Sequence, residues 1–183
     1  MRIGLYGGSF DPVHIGHLAV AKEAKAQFNL DKVIFIPTGS MPHKKGCAAS
    51  PCDRVNMLEL SFDDESFVIS DYEITRSEIS YSADTIEYFK SVYPEDEIFF
   101  IIGGDSYGYI DKWYQPERIF KNATVVVFPR NGEKILSPAK ELKVKAVCVS
   151  SSEIREKIKL QKNVSNLLKK EVYDYIIENN LYR

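Results

Sequence analysis

The chain has 183 residues, 44% of them hydrophobic and 27% charged, with a formal net charge of −2. This composition is ordinary for a globular protein and gives no sign of a general nucleic-acid or membrane-surface binder. The sequence has no run of about eighteen apolar residues, no signal-peptide pattern at its start, and three cysteines, too few for a disulfide framework. We therefore expect a single domain over 1–183 in the cytoplasm, with no membrane or nucleic-acid partner.

Strand-like runs alternate with helix-like stretches along the chain. Several runs are nearly continuous in Ile, Val and Phe, as expected of strands covered on both faces in a parallel sheet. The alternation predicts an α/β fold with a doubly wound, mainly parallel sheet and helices on both faces. The predicted strands are RIGLYG (2–7), KVIFIP (32–37), SFVIS (66–70), EIFFIIG (97–103), ATVVVFP (123–129) and VKAVCV (144–149).

The helix-like stretches carry start signals. An amphipathic helix is predicted over 15–28. Ser50, followed by Pro51 and Asp53, has the pattern of a helix N-cap with an acidic first turn. Ser82 and Ser150 are predicted to cap two further helices. The last helix lies within NLLKKEVYDYIIENNLY, and its predicted inward residues are Val172, Tyr173, Ile176 and Ile177.

Two loosely patterned segments each follow a predicted strand, TGSMPHKKGCAASP (38–51) and PRNGEKILSPAKEL (129–142). In a doubly wound sheet, ligands bind beyond the carboxyl ends of the strands. We therefore expect both segments at the functional edge of the sheet.

The stretch YGGSFDPVHIGH (6–17) combines a glycine turn with two histidines. Gly7 and Gly8 leave space for a tight turn or a close ligand. Backbone N–H groups from Ser9 and Phe10 onward can face an anion, and the two histidines are one helical turn apart. Neither the Walker nor the dinucleotide fingerprint fits. The pattern leaves two alternatives open: a plain glycine turn with surface histidines, and a zinc site with the candidate ligands His14, His17, His43, Cys47 and Cys52.

Two motifs favour the anion-binding interpretation. GSFDPVHIGH (8–17) resembles the GxFxPxHxGH signature of the nucleotidyltransferase superfamily, and VSSSEIR (149–155) resembles its second signature. The resemblance implies a Rossmann-like fold that transfers a nucleotidyl group from a nucleoside triphosphate to a phosphate or similar acceptor, with release of pyrophosphate.

The middle of the chain bears on the acceptor. MPHKK (41–45), EISYSADTI (78–86), FFIIGGDS (99–106) and KWYQPERIF (112–120) resemble segments of nicotinate mononucleotide adenylyltransferases, with Met41, Ser82 and Ser152 as departures. This family transfers AMP from ATP to nicotinate mononucleotide, giving deamido-NAD. The alternatives are phosphopantetheine adenylyltransferase, another adenylyltransferase or a cytidylyltransferase of the superfamily, and a non-catalytic nucleotide-binding regulator. An oligomer of this chain is also left open.

The resemblance implies a set of site residues. The expected catalytic residues are His14, His17 and Arg155, with His17 on the α-phosphate. ATP would also be bound by Gly8, Ser9, Phe10, Gly103, Asp105, Ser151 and Ser152. The expected binding residues for nicotinate mononucleotide are Lys44, Ser82, Thr85, Asp105, Trp113 and Tyr114. Mg²⁺ is expected with ATP, and no metal is expected to be held by the protein itself.

Taken singly, several of these residues have a plainer interpretation. Arg155 and Lys44 could be solvated surface charges, and Asp105 could be a helix N-cap. Trp113 and Tyr114 could belong to the core. If Ser82 begins a helix, its N–H groups can receive an anion. We therefore expect the acid acceptor to be preferred over the amide.

Overall fold

A six-stranded parallel sheet forms the centre of the computed structural model, which describes residues 1–39, 47–129, 132–144 and 149–183. The strands are β1 (Arg2–Gly8), β2 (Lys32–Pro37), β3 (Phe67–Ile69), β4 (Glu97–Gly103), β5 (Thr124–Phe128) and β6 (Lys140–Glu141). Their order across the sheet is β3-β2-β1-β4-β5-β6. This is the order of a Rossmann-like fold, in which the chain turns outward in opposite directions from the two central strands.

Helices cover both faces of the sheet, as predicted. They are α1 (Ile15–Gln27), α2 (Pro51–Ser61), α3 (Ser82–Val92), α4 (Gly104–Tyr107), α5 (Pro116–Asn122), α6 (Ser151–Lys159) and α7 (Lys170–Glu178), with a 3₁₀ turn at Ile110–Lys112. The side chains of β4 alternate between two cores: Phe99 and Ile101 pack with α1, α2, α6 and α7, whereas Phe100 and Ile102 pack with α3 and α5. Such alternation follows from the two-residue period of a strand.

The sequence-predicted caps of two helices are confirmed. The Ser50 hydroxyl accepts the N–H of Asp53 at the start of α2, and the Ser150 hydroxyl accepts the N–H of Glu153 at the start of α6. The predicted cap at Ser82 is wrong by one residue. Tyr81 has the extended backbone of the N-cap, and Ser82 is the first helical residue.

The last predicted strand, VKAVCV, is not tested, because 145–148 lie outside the described residues. The described sixth strand is the pair Lys140–Glu141, inside a segment predicted to be a loop, and it pairs with Val126 and Val127 of β5. A strand this short at a sheet edge needs no hydrophobic run, so hydrophobic patterning could not find it. In α7, Val172 and Ile176 are buried as predicted, while Tyr173 and Ile177 are half-buried. Within the described ranges, no helix is long and apolar enough to cross a membrane.

Candidate active site

A cleft of about 390 Å³ opens at the carboxyl ends of β1 and β4, where the chain direction switches. This position in the sheet is where doubly wound proteins bind their ligands. Its lining comes mainly from the end of β1 with the following turn, from the end of β4 and from the start of α6, with Phe128 of β5 and Cys47 added. The lining residues are Tyr6, Gly7, Gly8, Ser9, Asp11, His14, His17, Cys47, Gly103, Asp105, Ser106, Phe128, Ser150, Ser151, Ser152 and Arg155.

The turn after β1 is shaped by close packing. Phe10 has a left-handed backbone, with φ of 46°, and its ring is fully buried. A Cβ at Gly8 would lie 2.9 Å from that ring. A Cβ at Gly16 would lie 3.0 Å from His14 Nδ1 and 3.2 Å from Val149 Cγ1. These two glycines therefore allow the turn to pack tightly, and Phe10 can reach a ligand only through its backbone.

The two histidines stack on each other beside the cleft. Their ring centroids are 3.7 Å apart, and the rings are inclined by 25°. The backbone N–H of His14 donates to His17 Nδ1 at 3.2 Å. Because Nδ1 accepts a proton there, the neutral His17 ring carries its own hydrogen on Nε2. The Phe10 ring packs against the imidazole of His17 in a T-shaped contact, with ring centroids 5.1 Å apart.

The start of α6 is bonded directly to the histidine turn. The Ser151 hydroxyl donates to the Pro12 carbonyl at 2.9 Å, and Arg155 Nη1 donates to the Asp11 carbonyl at 2.6 Å. Arg155 Nη2 also donates to the Ser152 hydroxyl at 3.2 Å. The Arg155 side chain is 31% exposed, so its fork of donors faces the cleft and water. Ser151 uses its hydroxyl hydrogen within the protein, which leaves its backbone N–H for a ligand.

Asp11 joins this turn to other parts of the chain. Its carboxylate is buried and accepts the N–H groups of Ala48 at 2.7 Å and Ala49 at 3.0 Å. It also accepts the Tyr182 hydroxyl at 2.8 Å. Burial and the neighbouring Asp11 carboxylate raise the pKa of the Tyr182 phenol above its usual range, so the phenol remains a neutral donor.

The end of β4 supplies the opposite wall. Gly103 is the N-cap of the single turn α4, and Asp105 lies within that turn with its side chain exposed to the cleft. The alternative in which Asp105 caps the helix is therefore wrong. A carboxylate at this position can accept the hydroxyl groups of a ribose.

Four of the predicted acceptor residues do not line this cleft, namely Ser82, Thr85, Trp113 and Tyr114, whereas Asp105 does. The Tyr81 and Tyr114 rings lie 4.4 Å apart at the start of α3, and Tyr114 is 46% exposed. Trp113 is half-buried, with its ring 6.3 Å from Phe100. In the part of the chain that the structure describes, the N–H groups of Ser82 and Ala83 donate no hydrogen bond. The structure thus places an aromatic pair beside a helix N-terminus.

Thr85 belongs to the support of that helix start. It is buried, its hydroxyl donates to Glu73 Oε1 at 2.8 Å, and its N–H donates to the Tyr81 carbonyl at 3.1 Å. Glu73 Oε2 accepts the N–H of Gly39 at 3.4 Å, and burial raises the pKa of the Glu73 carboxyl. Both donors of Thr85 are used inside the protein, so its contribution to a ligand is to orient α3.

Most of the sequence-predicted ATP residues line the cleft together, whereas Phe10 lies behind it. Lys44 and His43 lie outside the described residues. Among the described residues, no three His, Cys, Asp or Glu side chains form a group that could hold a metal ion.

Sequence reasoning missed Asp11, Tyr182, Glu73 and the buried Arg54. The first two stand in motif-like segments, FDP and NNLY, but no local pattern reveals the bonds they make.

Comparison with known proteins agrees with this geometry. Residues 5–157 match the model of the cytidylyltransferase-like family. A probable nicotinate-nucleotide adenylyltransferase of Carboxydothermus hydrogenoformans is 40% identical over 100% of this chain and 98% of its own length. Its counterpart in Caldicellulosiruptor saccharolyticus is 36% identical over the full length of both chains.

The fold also matches solved structures. The Plasmodium falciparum nicotinic acid mononucleotide adenylyltransferase complexed with NaAD superposes with a TM-score of 0.85 at 21% identity, over 99% of this chain and 97% of that one. The same enzyme complexed with APC gives a TM-score of 0.81 at 21% identity. The histidine turn, the switch-point cleft and the α6 arginine are the features of a nucleotidyltransferase. The chain belongs to the cytidylyltransferase-like family and, within it, to the nicotinate-nucleotide adenylyltransferases.

The open space at Gly7 predicts a ligand there. A Cβ on Gly7 would meet no atom within 4 Å, so Gly7→Ala should fold with unchanged or slightly higher thermal stability. Because the methyl group projects where Gly7 lines the cleft, ATP and inorganic triphosphate should bind about tenfold more weakly, the equivalent of one lost hydrogen bond. Calorimetric titration measures this, with Gly108→Ala, outside the cleft, as the control. Unchanged triphosphate affinity in Gly7→Ala would contradict the prediction.

Glu73 predicts a pH dependence of stability. Burial raises its pKa above the ordinary 4.5, so the unfolded chain releases this proton at lower pH than the folded chain. The contribution of Glu73 to stability therefore falls as pH rises from 4.5 through the raised pKa. Gln does not titrate, so the free energy of unfolding of Glu73→Gln has no such pH dependence. As pH rises through this window, the difference between variant and wild type should shift in favour of the variant, by about 1.4 kcal/mol for each unit by which the folded-state pKa of Glu73 exceeds that of the unfolded chain.

Urea unfolding between pH 4.5 and about pH 8 measures that difference. The control is Glu59→Gln, because Glu59 is an exposed residue of α2. A wild-type advantage that grows with pH would show that the assigned burial effect is wrong.

Proposed function

We propose that the protein transfers AMP from ATP to nicotinate mononucleotide, giving deamido-NAD and pyrophosphate, with the cleft at β1 and β4 as the ATP site. The observation that carries the proposal is the convergence of His17, Arg155 and the N-terminus of α6 on one side of that cleft. A triphosphate needs such a set of fixed donors, and the relatives at 36–40% identity are named for this reaction.

The chemistry is an in-line displacement at the α-phosphorus. A phosphate oxygen of the acceptor forms the new P–O bond while the bond to the β-phosphate oxygen breaks, and pyrophosphate leaves with that electron pair. The acceptor phosphate is already an anion, so no general base is required. The protein's part is to align the two substrates and to stabilise charge.

Each donor of the cleft has a place in this step. His17 Nε2–H would bind the α-phosphate as charge develops, and His14 would contact the same triphosphate. The N–H groups of Ser9 and Phe10 would hold phosphate oxygens at the turn. Arg155 and the first N–H groups of α6, those of Ser151 and Ser152, would bind the β- and γ-phosphates. Asp105 would accept the ribose hydroxyls.

The acceptor would lie against the start of α3. Its pyridinium ring would stack on Tyr114 or Trp113, since a cationic ring prefers an aromatic face. Its carboxylate would accept the N–H groups of Ser82 and Ala83, helped by the α3 dipole. Lys44 stays a prediction for a phosphate contact.

Mg²⁺ would enter with ATP and neutralise part of the phosphate charge. The only carboxylates lining the described part of the cleft are Asp11 and Asp105, and Asp11 is buried with bonds to protein groups. This donor set suits an ion that arrives on its substrate and keeps most of its water ligands. We place the reaction in the cytoplasm, consistent with the cysteine usage.

His17→Ala should lower kcat far more than it raises KM for ATP. The Nε2–H contact strengthens as charge builds at phosphorus, and the loss of one such donor costs roughly 10²–10³-fold in rate. Pyrophosphate release measures both constants, and His17→Gln, which can restore a side-chain N–H, should recover part of the loss. A His17→Ala enzyme within threefold of wild type would remove His17 from the mechanism.

The acceptor assignment is tested by pyrophosphate release with nicotinate mononucleotide, nicotinamide mononucleotide and phosphopantetheine. We expect the acid to react best, because an amide NH₂ facing the Ser82 or Ala83 N–H leaves a donor unpaired at about 1–3 kcal/mol. That corresponds to roughly 5–150-fold in kcat/KM over the amide. Equal rates for acid and amide would refute the α3 pocket, and a preference for phosphopantetheine would refute the proposed function.

A further inference from the structure

Arg54 is a buried cation that the mechanism above does not use. It lies in α2, and the residue is 2% exposed. In the part of the chain that the structure describes, its guanidinium contacts no carboxylate, and its Nε has no hydrogen-bond partner. Arginine is almost never this buried without an acidic partner, because desolvating its charge is costly. The free-energy cost of desolvating the Arg54 guanidinium therefore indicates that this side chain serves a purpose other than stability.

The guanidinium holds two carbonyl groups at the functional edge of the sheet. Nη1 donates to the Ser9 carbonyl and Nη2 to the Thr38 carbonyl, both at 2.9 Å. Ser9 follows β1 in the histidine turn, and Thr38 follows β2. The two strand ends are also joined directly, because the Thr38 N–H donates to the Gly8 carbonyl at 2.9 Å. Arg54 therefore braces the turn from inside the protein, on the side away from the cleft.

The hydrogen bond from Arg54 to the Ser9 carbonyl fixes the direction of the Ser9–Phe10 peptide group. The bond between Ser9 and Phe10 is trans, so the Ser9 carbonyl and the Phe10 N–H point in opposite directions. With the carbonyl bonded to Arg54, the Phe10 N–H points away from Arg54, toward the cleft that Ser9 lines. Among the described residues, the Phe10 N–H donates to no acceptor. A rotation of this peptide would instead present the Ser9 carbonyl oxygen to an anion.

We propose that Arg54 is a positioning residue for the transfer reaction, which holds the Ser9–Phe10 peptide with its N–H directed at the ATP phosphates. Its uncompensated charge lies behind the same turn and adds to the positive potential there. The proposal rests on the proposed function for its substrate. It assigns to Arg54 no contact with ATP, since the side chain does not reach the cleft.

Arg54→Lys keeps the positive charge but removes the pair of hydrogen bonds from the guanidinium to the Ser9 and Thr38 carbonyls. A single ammonium group cannot replace a planar fork that binds two separate carbonyls. We expect a folded protein that binds inorganic triphosphate about tenfold to hundredfold more weakly than wild type. Its kcat should fall and its KM for ATP should rise, while KM for the acceptor stays unchanged. Calorimetry with triphosphate and pyrophosphate-release kinetics provide the readouts.

Arg2→Met is the matched control. The Nε of Arg2 is also buried without a partner in the described ranges, and its guanidinium lies 4.8 Å above the Phe99 ring. Arg2 lies at the amino end of β1, on the side of the sheet opposite the cleft. Arg2→Met should lower thermal stability and leave triphosphate affinity unchanged. If Arg54→Lys behaves in the same way, with triphosphate affinity within threefold of wild type, Arg54 is merely structural and the proposal is overturned.

A second variant tests the donor itself with Arg54 intact. Replacing Phe10 by phenyllactate puts an ester oxygen in place of the N–H, which donates to no acceptor among the described residues. The Ser9 carbonyl stays in place as the acceptor of Arg54, although as a weaker ester acceptor. We expect a similar loss of triphosphate affinity, and unchanged affinity would refute the proposal whatever Arg54→Lys does. If wild type binds triphosphate but does not adenylylate nicotinate mononucleotide, the proposed function fails while these binding measurements still decide the role of Arg54.

Discussion

The buried carboxylate of Asp11 is the contact on which the arrangement of the cleft depends. A carboxylate removed from water is stable only when donors surround it. Here they come from Ala48 and Ala49 before α2 and from Tyr182 after α7, with the Arg155 guanidinium 3.8 Å away. Satisfying one charge therefore draws three distant segments onto the turn that follows β1.

That turn is held between charges of opposite sign. Arg54 bonds the Ser9 carbonyl from beneath the sheet edge, and Asp11 faces the segments that close over the other side. Between them Phe10 keeps its left-handed backbone because its ring is fully buried. Donors fixed in this way need no reorganisation when a phosphate arrives, which is the condition for strong stabilisation of developing charge.

The sequence predicts this molecule best where the signal is local. Continuous Ile, Val and Phe runs predict the central strands, and the Ser50 and Ser150 patterns predict two caps, because strand burial and capping depend on a few adjacent residues. The His14 and His17 spacing likewise brings both rings to one cleft.

Longer-range features could not be predicted in the same way. Arg54 stands in PCDRVNMLEL, where a helical arginine is ordinarily taken to face water. Its burial depends on carbonyl groups of two loops that only the folded sheet brings together. Thr85 was expected at a ligand and instead bonds Glu73, because the latter folds back from the segment before α3. The N-cap of α3 is Tyr81 rather than Ser82 because the extended backbone lies at Tyr81, where no side-chain hydrogen bond caps the helix. The type of side chain therefore could not predict this position.

The bond between Tyr182 and Asp11 spans 171 residues of sequence. During synthesis the phenol that completes the shell of Asp11 is therefore added 171 residues after Asp11 itself. Since a chain is made at about 5–20 residues per second, the turn waits on the order of ten seconds or more for that partner. Nascent chains therefore carry the nucleotide-binding motif well before they can hold it in its final geometry.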